Sequence, residues 1–185
     1  MLLYAITDRS LMGVDPRVAI DRLLDRSPGP LWIQLREKDL PAGALYQLAQ
    51  EVLRRLPQEV PLLINGRVDV ARSLGCGVHL PSDGLPVAEV RRLLGPRANV
   101  GCSGHSPAEC RRLAEAGADL VTLSPIFESP GKGPPLGLGA LTETKAGGWP
   151  AGCRLVALGG MDTARTEAAR LAGADGVAMI RGAWT

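Results

Sequence analysis

Side chains that usually carry polar chemistry are scarce in this sequence: 185 residues hold three lysines, two histidines, two asparagines and one phenylalanine. Other absences exclude whole classes of function. The four cysteines, Cys76, Cys102, Cys110 and Cys153, form no CxxC pair, which argues against a zinc site. Cys76 and Cys102 fall in or beside apolar runs, where a small buried thiol is the expected role. No apolar run reaches membrane-spanning length, and no basic leader with an apolar stretch and cleavage site opens the chain. The expectation is a cytoplasmic chain without membrane contact. A net charge of +2 gives no field that would collect nucleic acid or an anionic surface, so any anion must be held by a local arrangement. At 45% apolar and 22% charged residues, the composition fills one core and leaves no disordered tail, so residues 1–185 are expected to form one domain.

What the chain does have is a repeated alternation. Short apolar runs recur at Leu2–Thr7, Leu31–Leu35, Pro61–Asn65, Gly77–Leu80, Asn99–Cys102, Leu120–Leu123, Arg154–Leu158 and Gly176–Met179. They are continuous rather than alternating, the pattern of parallel strands buried on both faces. Between them lie amphipathic segments with defined ends. Asp15-Pro16 and Ser106-Pro107 place a capping side chain before a proline at the first helical position. The first opens a helix to about Arg26, and Gly117 closes the second. Leu45, Leu48, Val52 and Leu56 share one helical face, and Asp162 caps a helix through Leu171. Three similar turns, Leu74-Gly75-Cys76-Gly77-Val78, Ala116-Gly117-Ala118-Asp119-Leu120 and Ala172-Gly173-Ala174-Asp175-Gly176-Val177, each feed a strand. Eight βα units in so short a chain predict a compact (β/α)8 TIM barrel rather than an open doubly wound sheet.

The scarce polar residues fall where such a barrel does its chemistry, at the C-terminal ends of strands and in the loops after them. Lys38 follows the second strand, Asn65 ends the third, His79 lies near the end of the fourth and His105 follows the fifth. Lys132 and Phe127 share the Gly/Pro-rich loop after the sixth. Exposed amides beside a lysine suit an anion, although the spacing is not that of a P-loop. Leu158-Gly159-Gly160-Met161-Asp162 runs a strand through paired glycines into a capped helix, and the eighth strand leads into Ile180-Arg181-Gly182. Loops after strands seven and eight are a recurrent phosphate site, so Gly159, Gly160, Ile180 and Arg181 are the expected phosphate grip, with Lys132 assisting.

Taken in order, Tyr4-Ala5-Ile6-Thr7-Asp8, Gln34-Leu35-Arg36-Glu37-Lys38, Ile64-Asn65-Gly66-Arg67-Val68-Asp69, Ser124-Pro125-Ile126-Phe127 and Gly159-Gly160 resemble the thiamine-phosphate synthase and TenI thiazole tautomerase family. The similarity runs from about Tyr4 to Gly182 and implies a thiamin-pathway barrel acting on a phosphorylated thiazole. It assigns substrate contacts to Gln34, Arg36, Lys38, Asn65, His79, Ser103 and Ser129. It also separates two reactions. The synthase uses Mg²⁺ held by two aspartates, and Gly66 and Gly84 stand in their places here, with Asp69 and Asp83 the nearest carboxylates. The tautomerase needs no metal, and His79-Leu80-Pro81 and Phe127-Glu128-Ser129 are similar to it. Pro125, however, stands where the tautomerase's histidine is found. The expectation is therefore a tautomerase without metal or cofactor, using His105 as proton carrier, or else Glu37. The synthase reaction is the alternative, and a binding protein without turnover is a third reading. Exposed apolar helix faces predict a homo-oligomer, in the simplest case a dimer.

Overall fold

In the computed structural model, which describes residues 1–27 and 29–184, eight parallel strands close into a barrel in chain order. The strands are β1 Leu2–Ile6, β2 Leu31–Leu35, β3 Leu62–Asn65, β4 Gly77–Leu80, β5 Val100–Gly104, β6 Leu120–Leu123, β7 Arg154–Leu158 and β8 Gly176–Met179. The helices are α1 Arg9–Met12, α2 Pro16–Arg26, α3 Ala42–Leu53, α4 Val68–Leu74, α5 Val87–Leu94, α6 Pro107–Glu115, α7 Gly139–Lys145 and α8 Thr163–Leu171. Closure is made by β1 on β8, where Leu3 pairs with Val177 and Ala5 with Met179. The expected strands are all present. Three shift at their ends: β1 stops at Ile6, β3 starts at Leu62, and β5 runs from Val100 to Gly104. The alternation is less regular than the sequence suggests, because α1 and α2 both lie between β1 and β2, and among the described residues no helix follows β8.

The caps explain where the helices begin. Asp15 accepts a hydrogen bond from Arg17 N at the start of α2, Ser106 from Glu109 N at α6, and Asp162 from Arg165 N at α8. Each satisfies an amide that the first helical turn leaves without a partner.

The apolar residues divide into two layers. One lies between the outer face of the strands and the helices. The other fills the barrel axis: Leu2, Tyr4 and Ile6 from β1, with Leu63, Leu120, Val156 and Ala178. Glycines make room for this inner layer. A Cβ on Gly77 would meet Leu63 Cγ at 3.0 Å, and one on Gly101 would meet His79 Nδ1 at 2.7 Å. The interior is therefore a packed floor, and a cavity opens above it, at the strands' C-terminal ends.

Candidate active site

That cavity measures about 680 Å³. Its floor is polar and buried. Gln34, 2% exposed, donates from Nε2 to Asn65 Oδ1 at 2.9 Å, which leaves the other half of each amide for a ligand. His79, 3% exposed, lies 3.0 Å from Tyr4 Oη through Nδ1 and 2.9 Å from Ser103 Oγ through Nε2. Burial and the charge of Arg36 lower the His79 pKa to about 3, so its ring is neutral at physiological pH.

The walls carry charge of one sign. Arg36 and Lys38 come from the end of β2, Lys132 from the loop after β6, and Arg181 from the end of β8; the one carboxylate lining the cavity is Asp83. Arg36 is anchored by Asp8, with Nη1 and Oδ2 3.3 Å apart. On the β7–β8 side the wall is Gly159, Gly160, Met161 and Ile180. Among the described residues, the N–H groups of Gly160 and Arg181 have no protein acceptor, so they are free to donate to an anion.

The glycine pair has a second cause that the sequence does not announce. Gly159 and Gly160 have φ of +100° and +61°. A Cβ on Gly160 would sit 2.6 Å from Glu128 O and 2.8 Å from Phe127 Cβ, and one on Gly159 would sit 2.8 Å from Pro125 Cα. The turn is thus packed against the loop after β6, which is tied to it by Ile126 N→Leu158 O at 2.9 Å and Phe127 N→Gly159 O at 3.1 Å. Arg165 adds a clamp, its guanidinium 4.7 Å from the Phe127 ring centroid.

Of the catalytic, phosphate-binding and substrate-binding residues assigned from the sequence, all but Glu37 line this one cavity, Ser129 and His105 included, whereas Phe127 does not. His105 donates from Nδ1 to Ser124 O at 3.0 Å. A carbonyl only accepts, so Nδ1 carries a hydrogen, and among the described residues Nε2 has no protein partner. Glu37 lies elsewhere. It is 5% exposed, accepts from Arg9 N at 3.1 Å, and its Oε1 has no partner. Burial raises its pKa, and its role in this geometry is to hold the start of α1 at the barrel rim. The residues that sequence reasoning passed over are Tyr4, whose hydroxyl supports His79, and Leu11 and Met161, which line the rim.

The four thiols are free, and burial pushes each up to about 12, which leaves no thiolate for nucleophilic or redox work. Among the described residues, no group of three or more His, Cys, Asp or Glu side chains could hold a metal ion. Asp69 is bound to Arg67, with Nε and Oδ1 2.9 Å apart, and stands on α4 outside the cavity. Gly84 closes a tight turn on Pro81, where an added Cβ would lie 2.9 Å from Pro81 O. Among the described residues Asp83 is the one carboxylate lining the cavity, so the protein offers Mg²⁺ a single hard oxygen ligand there and the rest of an octahedral shell would come from water and substrate phosphates.

Residues 3–183 match the protein family described as thiamine monophosphate synthase. The chain belongs to the thiamine monophosphate synthase/TenI family. It is 37% identical over 185 residues to a thiamine-phosphate synthase of Roseiflexus castenholzii, covering 97% of this chain and 79% of that one. It is 39% identical over 184 residues to a thiamine-phosphate synthase of Methanoculleus marisnigri, covering 96% and 85%. The fold is that of a thiamine phosphate pyrophosphorylase from Pyrococcus furiosus, with a TM-score of 0.78 at 23% identity over 96% of this chain and 84% of that one. The family is one of thiamin biosynthesis enzymes, and its named relatives favour the synthase reaction over the tautomerase expected from the sequence. Among the described residues, no helix is long and apolar enough to cross a membrane.

Proposed function

We propose that this family member condenses a thiazole phosphate with a pyrimidine diphosphate to give thiamine phosphate. The observation that carries this reading is the placement of Arg36 and Lys38 after β2, Lys132 in the loop after β6 and Arg181 after β8, on separate sides of one cavity. A single monophosphate engages one such group; charges spread round the rim suit two anionic groups held apart. The relatives named as thiamine-phosphate synthases support the same assignment. In this reading the free amides at Gly160 and Arg181, together with the Arg181 guanidinium, receive the thiazole's phosphate. Arg36, Lys38 and Lys132 face the diphosphate. The bond from the pyrimidine's methylene carbon to the diphosphate oxygen breaks, and the electron pair leaves with the diphosphate. The thiazole nitrogen's lone pair then forms the new C–N bond, with no proton transferred. Fixed cations stabilise the departing charge in a site that Gln34, Asn65, His79 and Ser103 floor with oriented dipoles.

A second reading, tautomerisation of a carboxylated thiazole phosphate, is favoured by one observation: His105 lines the cavity with Nδ1 tied to Ser124 O, which leaves Nε2 without a protein partner among the described residues. The two readings part in one assay. Purified protein is incubated with thiazole phosphate plus pyrimidine diphosphate, and separately with the unaromatised carboxythiazole phosphate, each with and without a chelator. Thiamine phosphate formed with equimolar diphosphate release is the expected result. Aromatisation alone, lost in His105→Asn, would replace the synthase reading with the tautomerase one.

A further inference from the structure

Tyr4, His79 and Ser103 form a chain of hydrogen bonds from the barrel axis to the cavity floor, and the proton positions in it follow from counting. Tyr4 is fully buried, and among the described residues its hydroxyl has one partner, His79 Nδ1 at 3.0 Å. Ser103 Oγ likewise has one protein partner, His79 Nε2 at 2.9 Å, and lines the cavity. A neutral imidazole has one N–H and one lone pair. If Nδ1 carried the proton, it would donate to Tyr4 and strand the phenolic hydrogen in an apolar layer among Leu63, Leu120 and Val156, at the cost of an unmade buried hydrogen bond. If Nε2 carries it, Tyr4 donates to Nδ1, Nε2 donates to Ser103 Oγ, and no buried proton is left over.

We propose that Tyr4 is a positioning residue that acts through His79 to hold Ser103 as a hydrogen-bond donor toward the ligand. The Ser103 oxygen is occupied by the imidazole N–H, so its own hydrogen is turned into the cavity. The group it meets is an acceptor without a hydrogen, such as an unprotonated ring nitrogen or a phosphate oxygen. Gly101 is part of the device, since a Cβ there would meet His79 Nδ1 at 2.7 Å and break the contact with Tyr4. His105 differs in having a hydrogen fixed on Nδ1 by Ser124 O. The ligand half of the proposal rests on the cavity being the substrate site; the tautomer half does not.

The test has a part for each half. With two histidines in the chain, long-range ¹H–¹⁵N spectra of the free protein assign both rings directly. The expected spectrum shows His79 as the Nε2–H form, unchanged from pH 8 to pH 5. An Nδ1–H form for His79, or titration of its ring in that range, overturns the relay whatever the substrate. The second part is a double-mutant cycle on the condensation assay. Ser103→Ala and Tyr4→Phe are each expected to raise the same substrate's KM, Tyr4→Phe by about three- to tenfold, corresponding to about 0.7–1.4 kcal/mol. The double variant should be no worse than Ser103→Ala alone. Additive losses would mean that Tyr4 serves the fold and not Ser103.

Discussion

Several polar residues that look alike in the sequence have unlike duties. Asp119 and Asp175 occupy the same place in two similar turns. Asp119 Oδ2 accepts from Val100 N at 2.7 Å and from Arg91 at 2.7 Å. Asp175 Oδ2 accepts from Leu155 N and Lys145, both at 2.7 Å. Each carboxylate therefore stitches the start of one strand to a neighbouring turn on the face opposite the cavity. Asp119→Ala strands the amide of fully buried Val100 and should lower unfolding stability by about 1–3 kcal/mol in urea titration, with ligand binding unchanged; a loss below about 0.5 kcal/mol contradicts this. His79 gives a pH prediction. Its folded pKa of about 3 lies below the unfolded value of about 6.5, so the unfolded chain binds more protons between the two. The stability from its neutral ring is complete above about pH 6.5 and falls toward pH 3, by up to about 1.4 kcal/mol per pH unit. Denaturation midpoints measured across that range should show a slope that His79→Gln lacks. Scarcity made most cavity residues legible, because rare polar types sat at strand ends. Glu37 misled for the same reason: it follows β2, but adjacent residues at a strand end point to opposite sides, and while Arg36 lines the cavity Glu37 does not.

The strands and the capped helices were readable because a continuous apolar run or a side-chain cap marks each of them. The helices that escaped notice lack those marks. α1 has four residues and no side-chain cap bond, and α4, α5 and α7 likewise begin without one. The Gly159-Gly160 turn was visible as a motif, but its packing against the loop after β6 was not, since no local pattern connects residues so far apart in sequence. That contact makes a prediction. Gly160→Ala forces a side chain into positive φ and against Glu128 O, so the loop carrying Phe127, Ser129 and Lys132 must move. Thiazole phosphate binding should weaken at least tenfold, with Tm falling by several degrees for a change of about 1–2 kcal/mol. Unchanged binding in a stable Gly160→Ala protein would show that the loop and turn act separately. Arg165→Met, which removes the cation from the Phe127 face, should weaken binding in the same direction by a smaller factor, about two- to fivefold by calorimetry.

At the scale of the molecule, closure of the barrel is what makes a site. The cavity takes side chains from the ends of β2, β3, β4, β5 and β8 and from the loops after β6 and β7, none of which is near the others in sequence. The floor residues are fixed by packing along the axis, and the rim supplies four cationic side chains against one lining carboxylate, Asp83. The central claim is that the β7–β8 side of this rim holds the phosphate of a thiazole ligand. It is tested most directly by calorimetric titration of thiazole phosphate into the wild-type protein and Arg181→Ala, at matched low salt. Saturable binding of one ligand per chain is expected, weakened about 10- to 100-fold in Arg181→Ala through the loss of one charge-assisted hydrogen bond. Equal affinity in the two proteins, or no saturable heat in either, would contradict it.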